Sequence, residues 1–483
     1  MSELAFMTGL ELAQKIKARE VSSVELTQMF IDRIEQHDAE INAVVVRLFD
    51  EALDAAAEAD AALARGEDLG PLHGLPMTIK ESYVIAGTPA TYGYESFADN
   101  FSDHDGLAVA RFKAAGAHFL GKTNVPVGLA DFQSYNPIYG QTNNPYDYSR
   151  IPGGSSGGSA AALAAGFCGL EAGSDIGGSI RNPAHFCGVY GHKPTYGIVP
   201  TQGHELVEGL PDADLSVCGP MARGARDLEV ALDIMAGPIA REGVGWKLDL
   251  PGADFTDLKD LRVAIWPTDD IAPVSAGTVA RAELVGSTLS RLGATVSDTA
   301  RPDFVCEHAH RNYQTLLQSV LSSGMTQAQI DTAQGIVDGL DPQDQSYKAV
   351  LARASVISHR DWIASNNERE ALRRAWDDFF AEWDILICPQ MAVPAFPHDH
   401  RKFGERETLV DNVAQPYFQQ LFWAGIVINA YLPSTVFPTG LDKEGLPLGL
   451  QAVSAPYRDK RCIEFAHQIS REIGGFTAPG ELR

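Results

Sequence analysis

The 483-residue sequence has no continuous apolar stretch near its start that could act as a signal peptide or membrane anchor. Charged side chains interrupt residues 1–17 at Glu3, Glu11, Lys15 and Lys17. We therefore predict a cytoplasmic protein without a membrane-spanning segment.

Basic residues are scarce. The chain has 38 Lys and Arg against 63 Asp and Glu, which gives a formal net charge of -25. Phosphate backbones and anionic lipid surfaces would be repelled by such a charge. We expect no nucleic-acid partner and no binding to a membrane surface.

Metal-binding cysteine patterns are also missing. The six cysteines form no CxxC pair, and a chain of this length needs no disulfide to stabilise its core. Close acidic and histidine clusters occur at 103–105 and 398–400, but no further ligand stands at a telling spacing. The expectation is reduced thiols, no metal and no cofactor.

Helical and strand-like patterns alternate along the chain. A capping-box pair, Ser22 and Glu25, precedes apolar residues at helical spacing, and an alanine-rich run at 52–64 favours a second helix. Met77 and Ile79 alternate with polar residues, which indicates a short strand, and Asp105 is positioned to cap a following helix. Buried strands at 261–266 and 385–388 extend the alternation, which predicts an α/β protein.

Three short stretches carry the chemistry. They are Met77–Lys80, Gly153–Ser159 and Asp175–Arg181, and they supply a lysine and several serines among glycines. Amide hydrolysis needs an activated nucleophile, a proton for the departing nitrogen and stabilisation of a tetrahedral oxyanion. This constellation offers a candidate for each need.

The constellation resembles the amidase signature family, whose members cleave carboxamide C–N bonds. The resemblance implies that Ser179 is the nucleophile, that Ser155 relays a proton, and that Lys80 is the base. It also implies a cis peptide bond between Gly154 and Ser155. The oxyanion hole would be formed by Ile176, Gly177, Gly178 and Ser179.

The proposed base must be neutral to accept a proton. Its pKa would have to fall by roughly 3 from an ordinary value of about 10.4, and burial beside Met77 and Ile79 would act in that direction. Arg181 is a basic residue close to the predicted nucleophile. We expect it to form a structural ion pair with Asp175 or another acid.

The resemblance also implies the fold, a mixed central β-sheet covered by helices on both faces. It is strongest from about residue 74 to 200 and returns near 445–451. We expect one domain over residues 1–483, with a helical part at 1–70 and a catalytic core segment at 71–205. A variable helical region at 240–380 would shape the pocket.

Two departures from the family concern the surroundings of the substrate. Glu81 and Ser82 stand where the family commonly has Asp-Asn, and Val127 replaces a frequent glutamate. The apolar neighbourhood, which suits an aryl or alkyl substituent, consists of Val127, Gly128, Leu129 and Phe132. Core packing explains these apolar residues equally well.

A competing mechanism uses the same glycine-serine segment. Gly154, Ser156 and Gly158 fit the GxSxG nucleophile elbow, which would make Ser156 the nucleophile of a Ser-His-Asp α/β-hydrolase. That elbow requires a strand directly before it, whereas residues 145–152 are typical of a proline-bounded loop. Histidines 185 and 192 are not part of the resembled family's triad.

Function is thereby narrowed to a few hypotheses. The first is a stand-alone serine amidase acting on a small aliphatic or aryl amide or anilide, with carbamates and esters as related substrates. The second is the glutaminase subunit of a tRNA-dependent amidotransferase, and the third is a binding protein on an amidase scaffold. A homodimer is the base-rate expectation for the oligomeric state.

Overall fold

The computed structural model describes residues 3–482. Its α helices are α1 (Gly9–Lys17), α2 (Ser23–Ile41), α3 (Phe49–Ala64), α4 (Leu107–Ala114), α5 (Gly157–Ala165), α6 (Arg181–Cys187), α7 (Ala225–Met235), α8 (Ala276–Leu292), α9 (Cys306–Leu321), α10 (Gln327–Asp338), α11 (Tyr347–Ser355), α12 (His359–Glu382), α13 (Leu421–Ile428) and α14 (Asp459–Ile473).

The strands follow the same order along the chain. They are β1 (Val44–Arg47), β2 (Pro76–Lys80), β3 (His118–Thr123), β4 (Tyr135–Asn136), β5 (Gly140–Gln141), β6 (Glu171–Asp175), β7 (Tyr190–Lys193), β8 (Val217–Ala222), β9 (Arg262–Ile265), β10 (Thr295–Ser297), β11 (Ile385–Pro389), β12 (Glu407–Val410), β13 (Val413–Pro416), β14 (Ser434–Leu441) and β15 (Pro447–Val453).

The central sheet has eight strands in the order β10-β9-β11-β15-β14-β7-β8-β6. Neighbours from β10 to β11 run parallel, and every other neighbouring pair runs antiparallel. The predicted mixed sheet is confirmed.

Helices flank this sheet. Every residue of β6, β7, β8, β11 and β15 is buried, which requires cover on both faces because side chains alternate along a strand. Helix α6 contacts β14 and β15, while α8 contacts β9 and β11. The helical cover expected from the sequence is therefore confirmed.

A smaller sheet places the predicted base. Its order is β1-β3-β2, with β2 parallel to β3. All five residues of β2 are buried, and Thr78 N–H donates to the Leu170 carbonyl at 3.3 Å, just before β6. The predicted strand is present, and it ends at Lys80 inside the protein.

The amino-terminal helices begin where local signals predict. The Ser22 side chain accepts from the Glu25 amide, and the Glu25 carboxylate accepts from the Ser22 amide, so the capping box is confirmed. The alanine-rich run lies within α3, which ends before Gly66 at φ 83°. Both helices pack through buried apolar residues into the main core.

The predicted cap of α4 is wrong. The helix starts after Gly106 and has no side-chain cap. Asp105 instead accepts from the Ala86 amide at 3.0 Å and from Lys113 Nζ at 2.6 Å. The Ala86 amide and Lys113, which lies on α4 itself, therefore occupy the carboxylate that the local pattern assigned to the helix start.

Residues 240–380 are mainly helical and contain α8 to α11 and all but the last two residues of α12. Tyr313, on α9, is fully buried beside the loop that follows β6. Across residues 3–482, no helix combines the length and apolar character that crossing a membrane would require. All six cysteines carry free thiols.

Candidate active site

Lys80 occupies the end of β2 and has no exposed surface. Its Nζ lies 2.7 Å from Ser155 Oγ and 2.9 Å from Ser174 Oγ, both hydrogen-bond distances. Two of the segments predicted to cooperate, residues 77–80 and 153–159, therefore meet at this amine.

Burial lowers the pKa of Lys80 to about 7, because the ammonium form loses its hydration inside the protein. Cys218, Asp175, Glu171 and Glu81 act in the opposite direction without cancelling this effect. The direction and size of this lowering of the pKa agree with the requirement for a neutral base. A large fraction of the amine is unprotonated near neutral pH.

Ser155 is held in a tightly packed turn. The peptide bond between Gly154 and Ser155 is cis, which confirms that prediction. A Cβ on Gly154 would overlap the carbonyl oxygens of Asp131 and Gln133, so only glycine fits there. Gly154 N–H donates to Asn182 Oδ1 at 3.0 Å, which ties the turn to α6.

The loop that carries Ser179 is organised around one carboxylate. Asp175 Oδ1 accepts from the Gly178 amide at 2.8 Å, and Oδ2 accepts from the Ile180 amide at 3.1 Å. Arg181 Nε lies 3.0 Å from the same carboxylate, and both side chains are fully buried. The predicted structural ion pair is confirmed, and it fixes both ends of the loop.

The serine segments also touch directly. Ser156 N–H donates to the Ser179 carbonyl at 3.1 Å. Ser179 retains 7% exposure, while Ile176 and Gly177 are partly exposed. The predicted nucleophile is thus joined through its carbonyl to the residue that follows Ser155, and it lies near the accessible part of its loop.

Of the four amides expected to form the oxyanion hole, one has a hydrogen-bond partner within the protein. Within residues 3–482 we find no acceptor for the amides of Ile176, Gly177 and Ser179. The Gly178 amide is already used by Asp175, at 2.8 Å. Three amides remain available to a substrate oxygen, and Gly178 shapes the loop through its φ of 100°.

An apolar wall borders this loop. We define it as Phe132, Tyr313, Tyr417, Phe418 and Leu421, which belong to one hydrophobic cluster together with Ile176. Tyr313 O–H donates to the Ile176 carbonyl at 2.9 Å, and the Phe132 ring centroid lies 5.3 Å from that of Tyr417. Leu421 and Tyr313 of this wall also lie beside Gly177.

The other predicted pocket residues are placed differently. Val127 is 39% exposed, and Gly128 N–H donates to the Tyr92 carbonyl at 2.7 Å. Leu129 has a positive φ of 56° within the same turn. These three residues pack beside the segment around Tyr92, and only Phe132 of the predicted four joins the apolar wall.

Sequence comparison covers nearly the whole chain. A profile described as Amidase matches residues 25–463. The chain belongs to the amidase signature family. It is therefore a hydrolase that acts on amides, and a scaffold without enzymatic activity is no longer a candidate.

Curated relatives of this amidase differ in the substrates that their names state. It is 33% identical to fatty-acid amide hydrolase 2-A of Danio rerio, over 99% of this chain and 91% of that protein. It is 32% identical to indoleacetamide hydrolase of Bradyrhizobium diazoefficiens, over 97% and 86%. It is 30% identical to a glutamyl-tRNA(Gln) amidotransferase subunit from Carboxydothermus hydrogenoformans, over 97% and 98%.

A solved structure supports the same fold. The amidase aligns with a structure of fatty acid amide hydrolase at a TM-score of 0.79 and 25% identity, covering 98% of this chain and 86% of the other. The mixed sheet and its flanking helices are thus those of amidase signature enzymes.

The nucleophile-elbow alternative does not fit the geometry of this amidase. Residues 145–152 form no strand before Ser156. Ser156 Oγ lies 3.4 Å from both the amide and the carbonyl oxygen of Ser174, so its hydroxyl is engaged by the backbone of β6. His185 Nδ1 accepts from the Gly449 amide at 3.1 Å, and Nε2 lies 3.0 Å from the Val393 carbonyl oxygen. Its two ring nitrogens are therefore occupied.

Glu81 and Ser82, which depart from the family pattern, have hydrogen-bond partners within the protein. The Glu81 carboxylate accepts from the Thr91 amide at 2.6 Å and the Tyr92 amide at 3.1 Å. Ser82 Oγ lies 2.8 Å from His204 Nε2. Glu81 and Ser82 directly follow the predicted base. In the amidase their side chains hold the segment beside Val127.

Several residues of the site had no signal strong enough to single them out. Ser174 contacts Lys80 Nζ, Asn182 accepts from Gly154, and Gln390 Nε2 lies 2.7 Å from the Cβ position that an alanine at 178 would occupy. The position of Ser174 directly before Asp175 was the available clue. Asn182 and Gln390 reach the site only through the packing of α6 and β11.

A cavity that is open to solvent lies elsewhere in the amidase. It measures about 970 Å³ and is lined by acidic side chains that include Asp105, Glu205 and Asp212. Lys80, Ser155 and Ser179 do not line it. Within residues 3–482, no group of three His, Cys, Asp or Glu side chains is arranged to hold a metal ion.

Proposed function

We propose that the protein is a stand-alone serine amidase that hydrolyses small carboxamides or anilides bearing an apolar acyl or amine group. The observation that carries this proposal is the 2.7 Å contact between Lys80 Nζ and Ser155 Oγ, next to a loop with unpaired amides. Carbamates and esters, which share the carbonyl chemistry, are related substrates.

Acylation begins when Ser179 Oγ attacks the substrate carbonyl carbon. The proton of Ser179 passes to Ser155 Oγ as the proton of Ser155 passes to neutral Lys80 Nζ. The carbonyl oxygen becomes an oxyanion, which the amides of Ile176, Gly177 and Ser179 stabilise. Lys80 is then an ammonium ion.

Collapse of this intermediate breaks the C–N bond. The ammonium of Lys80 returns its proton through Ser155 to the departing nitrogen, which leaves as ammonia or an amine. An ester then joins the acyl group to Ser179. Water, deprotonated along the same relay, attacks the ester and releases the carboxylic acid and free Ser179.

The apolar wall supports an alkyl or aryl substituent. Two of its side chains, Tyr313 and Leu421, adjoin Gly177, and the wall shares a hydrophobic cluster with Ile176; both loop residues are partly exposed. Burying an apolar substrate group against such a surface favours binding by about 25 cal/mol per Å². Among the relatives, the names of the fatty-acid amide and indoleacetamide hydrolases agree with substrates of this type.

A substrate panel tests the proposal. We would measure release of amine or ammonia from indoleacetamide, an anilide, a long-chain fatty-acid amide and glutamine. Ser179→Ala should abolish turnover and the acyl adduct in intact mass, while Ser155→Ala and Lys80→Met should retain the fold but lose most activity. An acyl adduct that survives in Ser179→Ala would exclude Ser179 as nucleophile.

The second candidate is a glutaminase subunit. Its support is the similarity to the glutamyl-tRNA(Gln) amidotransferase protein over nearly the full length of both chains. The apolar wall offers few groups for the charged ends of glutamine, which favours the stand-alone enzyme. Preferential hydrolysis of glutamine, together with co-purifying partner chains, would reverse the preference.

A further inference from the structure

Ser174 is a second hydroxyl at the predicted base, outside the three residues of the relay. It lies on β6 directly before Asp175 and is 4% exposed. Its Oγ is 2.9 Å from Lys80 Nζ. Among residues 3–482, Ser155 and Ser174 provide the hydrogen-bond partners of this amine.

The valence of a neutral amine gives the two hydroxyls different tasks. Nζ has one lone pair and two N–H groups when Lys80 is unprotonated. To accept a proton, the lone pair must face the Ser155 hydroxyl. An N–H is then free to donate to Ser174 Oγ, which fixes rotation about the last bond of the side chain.

We propose that Ser174 is a positioning residue that holds the Lys80 amine with its lone pair directed at Ser155. This inference rests on the proposed role of Lys80 as the base. Ser174 itself contacts neither the substrate nor the proton in transit. It acts by presenting an acceptor to the amine.

The same contact favours the protonated lysine. A hydrogen bond from an ammonium is about twice as strong as one from a neutral amine. Ser174 therefore stabilises the ion that forms when Ser179 attacks. Its removal should slow acylation and make Lys80 easier to deprotonate.

Other charged or titratable groups act on the same amine and must stay constant in a test. They are Glu81 after β2, Glu171 and Asp175 on β6, Cys218 on β8, and His204, which faces Ser82. A serine-to-alanine change at 174 leaves all of these groups in place. Any change in the pH profile can then be assigned to the lost hydroxyl.

The experiment compares Ser174→Ala with Ser174→Thr. We would measure kcat/KM and the rate of Ser179 labelling by a fluorophosphonate from pH 5 to 9, with the melting temperature at each pH. For Ser174→Ala we expect a roughly tenfold to hundredfold lower plateau and an acid limb moved down by about half a pH unit to one unit. Ser174→Thr keeps a hydroxyl, so its plateau and the position of its acid limb should be close to those of the native enzyme.

Ser23→Ala is the matched control, because Ser23 is also buried and its Oγ donates to the Gly74 carbonyl at 2.7 Å rather than to Lys80. Its acid limb should match that of the native enzyme. A native profile in Ser174→Ala, or a lower plateau with an unmoved limb, would overturn the positioning role. If the native enzyme itself shows no acid limb, the result would refute the assignment of Lys80 as the base rather than the role of Ser174.

Discussion

Arg181 and Asp175 form a fully buried ion pair that sets the shape of the nucleophile loop. Arg181 Nε lies 3.0 Å from Asp175 Oδ2, and Arg181 Nη2 lies 3.0 Å from Oδ1. Burial acts to raise the pKa of Asp175, yet the guanidinium and nearby amides hold that pKa below its ordinary value. The carboxylate is therefore charged and able to accept from the Gly178 and Ile180 amides.

Removal of the guanidinium should destabilise the protein strongly. Arg181→Gln leaves Asp175 charged and buried without its partner, at a cost of about 3–5 kcal/mol in the free energy of unfolding. Arg65→Gln is a suitable control, since Arg65 pairs with Glu67 at 2.7 Å and both side chains are exposed. That change should have little effect on the free energy of unfolding, because solvent screens the exposed pair. Urea unfolding would measure both, and equal losses would contradict the role assigned to the buried pair.

Activity should rise with pH through the pKa of Lys80. That pKa is lowered to about 7, and the neutral amine is the form able to accept a proton. Below this value kcat/KM should fall about tenfold per pH unit, and well above it kcat/KM should level off. Fluorophosphonate labelling across pH 5–9 tests whether reactivity rises with pH, and melting temperatures check that the protein stays folded. A flat profile in folded protein would exclude Lys80 as the base.

Adjacent glycines of the loop should respond differently to alanine. In Gly178→Ala the new Cβ would lie 2.7 Å from Gln390 Nε2, at a φ of 100° that alanine adopts poorly. Displacing the loop should lower kcat by about 10²–10³-fold, as expected for a damaged oxyanion hole. In Gly177→Ala the Cβ would stand 3.2 Å from Leu421 Cδ2, in ordinary backbone geometry.

We expect Gly177→Ala to raise KM more than it lowers kcat, because it narrows the space beside the apolar wall. Steady-state kinetics on an apolar amide would separate the two parameters. Similar losses of kcat in both variants would show that Gly178 has no special role in the loop.

Tyr313 links the variable helical region to the nucleophile loop. Tyr313→Phe removes the 2.9 Å hydrogen bond to the Ile176 carbonyl but keeps the ring in the apolar wall. The loss should be about 1 kcal/mol, which corresponds to several-fold in kcat if Ile176 supplies an oxyanion donor. Tyr196→Phe, whose hydroxyl contacts Ala213 outside the site at 3.5 Å, is the control. An unchanged kcat in Tyr313→Phe would show that the hydrogen bond from α9 to the nucleophile loop does not contribute to catalysis.

Local patterns and the family resemblance were sufficient for several parts of the fold and site. The Ser22–Glu25 capping box, the strand ending at Lys80 and the cis bond before Ser155 agree with the structure. The cap expected from Asp105 was wrong because Ala86 and Lys113 compete for its carboxylate. Contacts between residues a few positions apart can be predicted from the local sequence. A partner further along the chain can replace such a contact.

The sequence by itself determined the family, because the motifs that carry the resemblance lie in short segments, and the resemblance in turn implied the mixed α/β fold and the bond that is cleaved. Only the tertiary structure showed that Gly178 N–H is taken by Asp175, that Ser174 meets Lys80, and that Tyr313 reaches Ile176. The last two contacts join elements far apart along the chain. Burial and packing decide them, and neither quantity can be read from the spacing of residues.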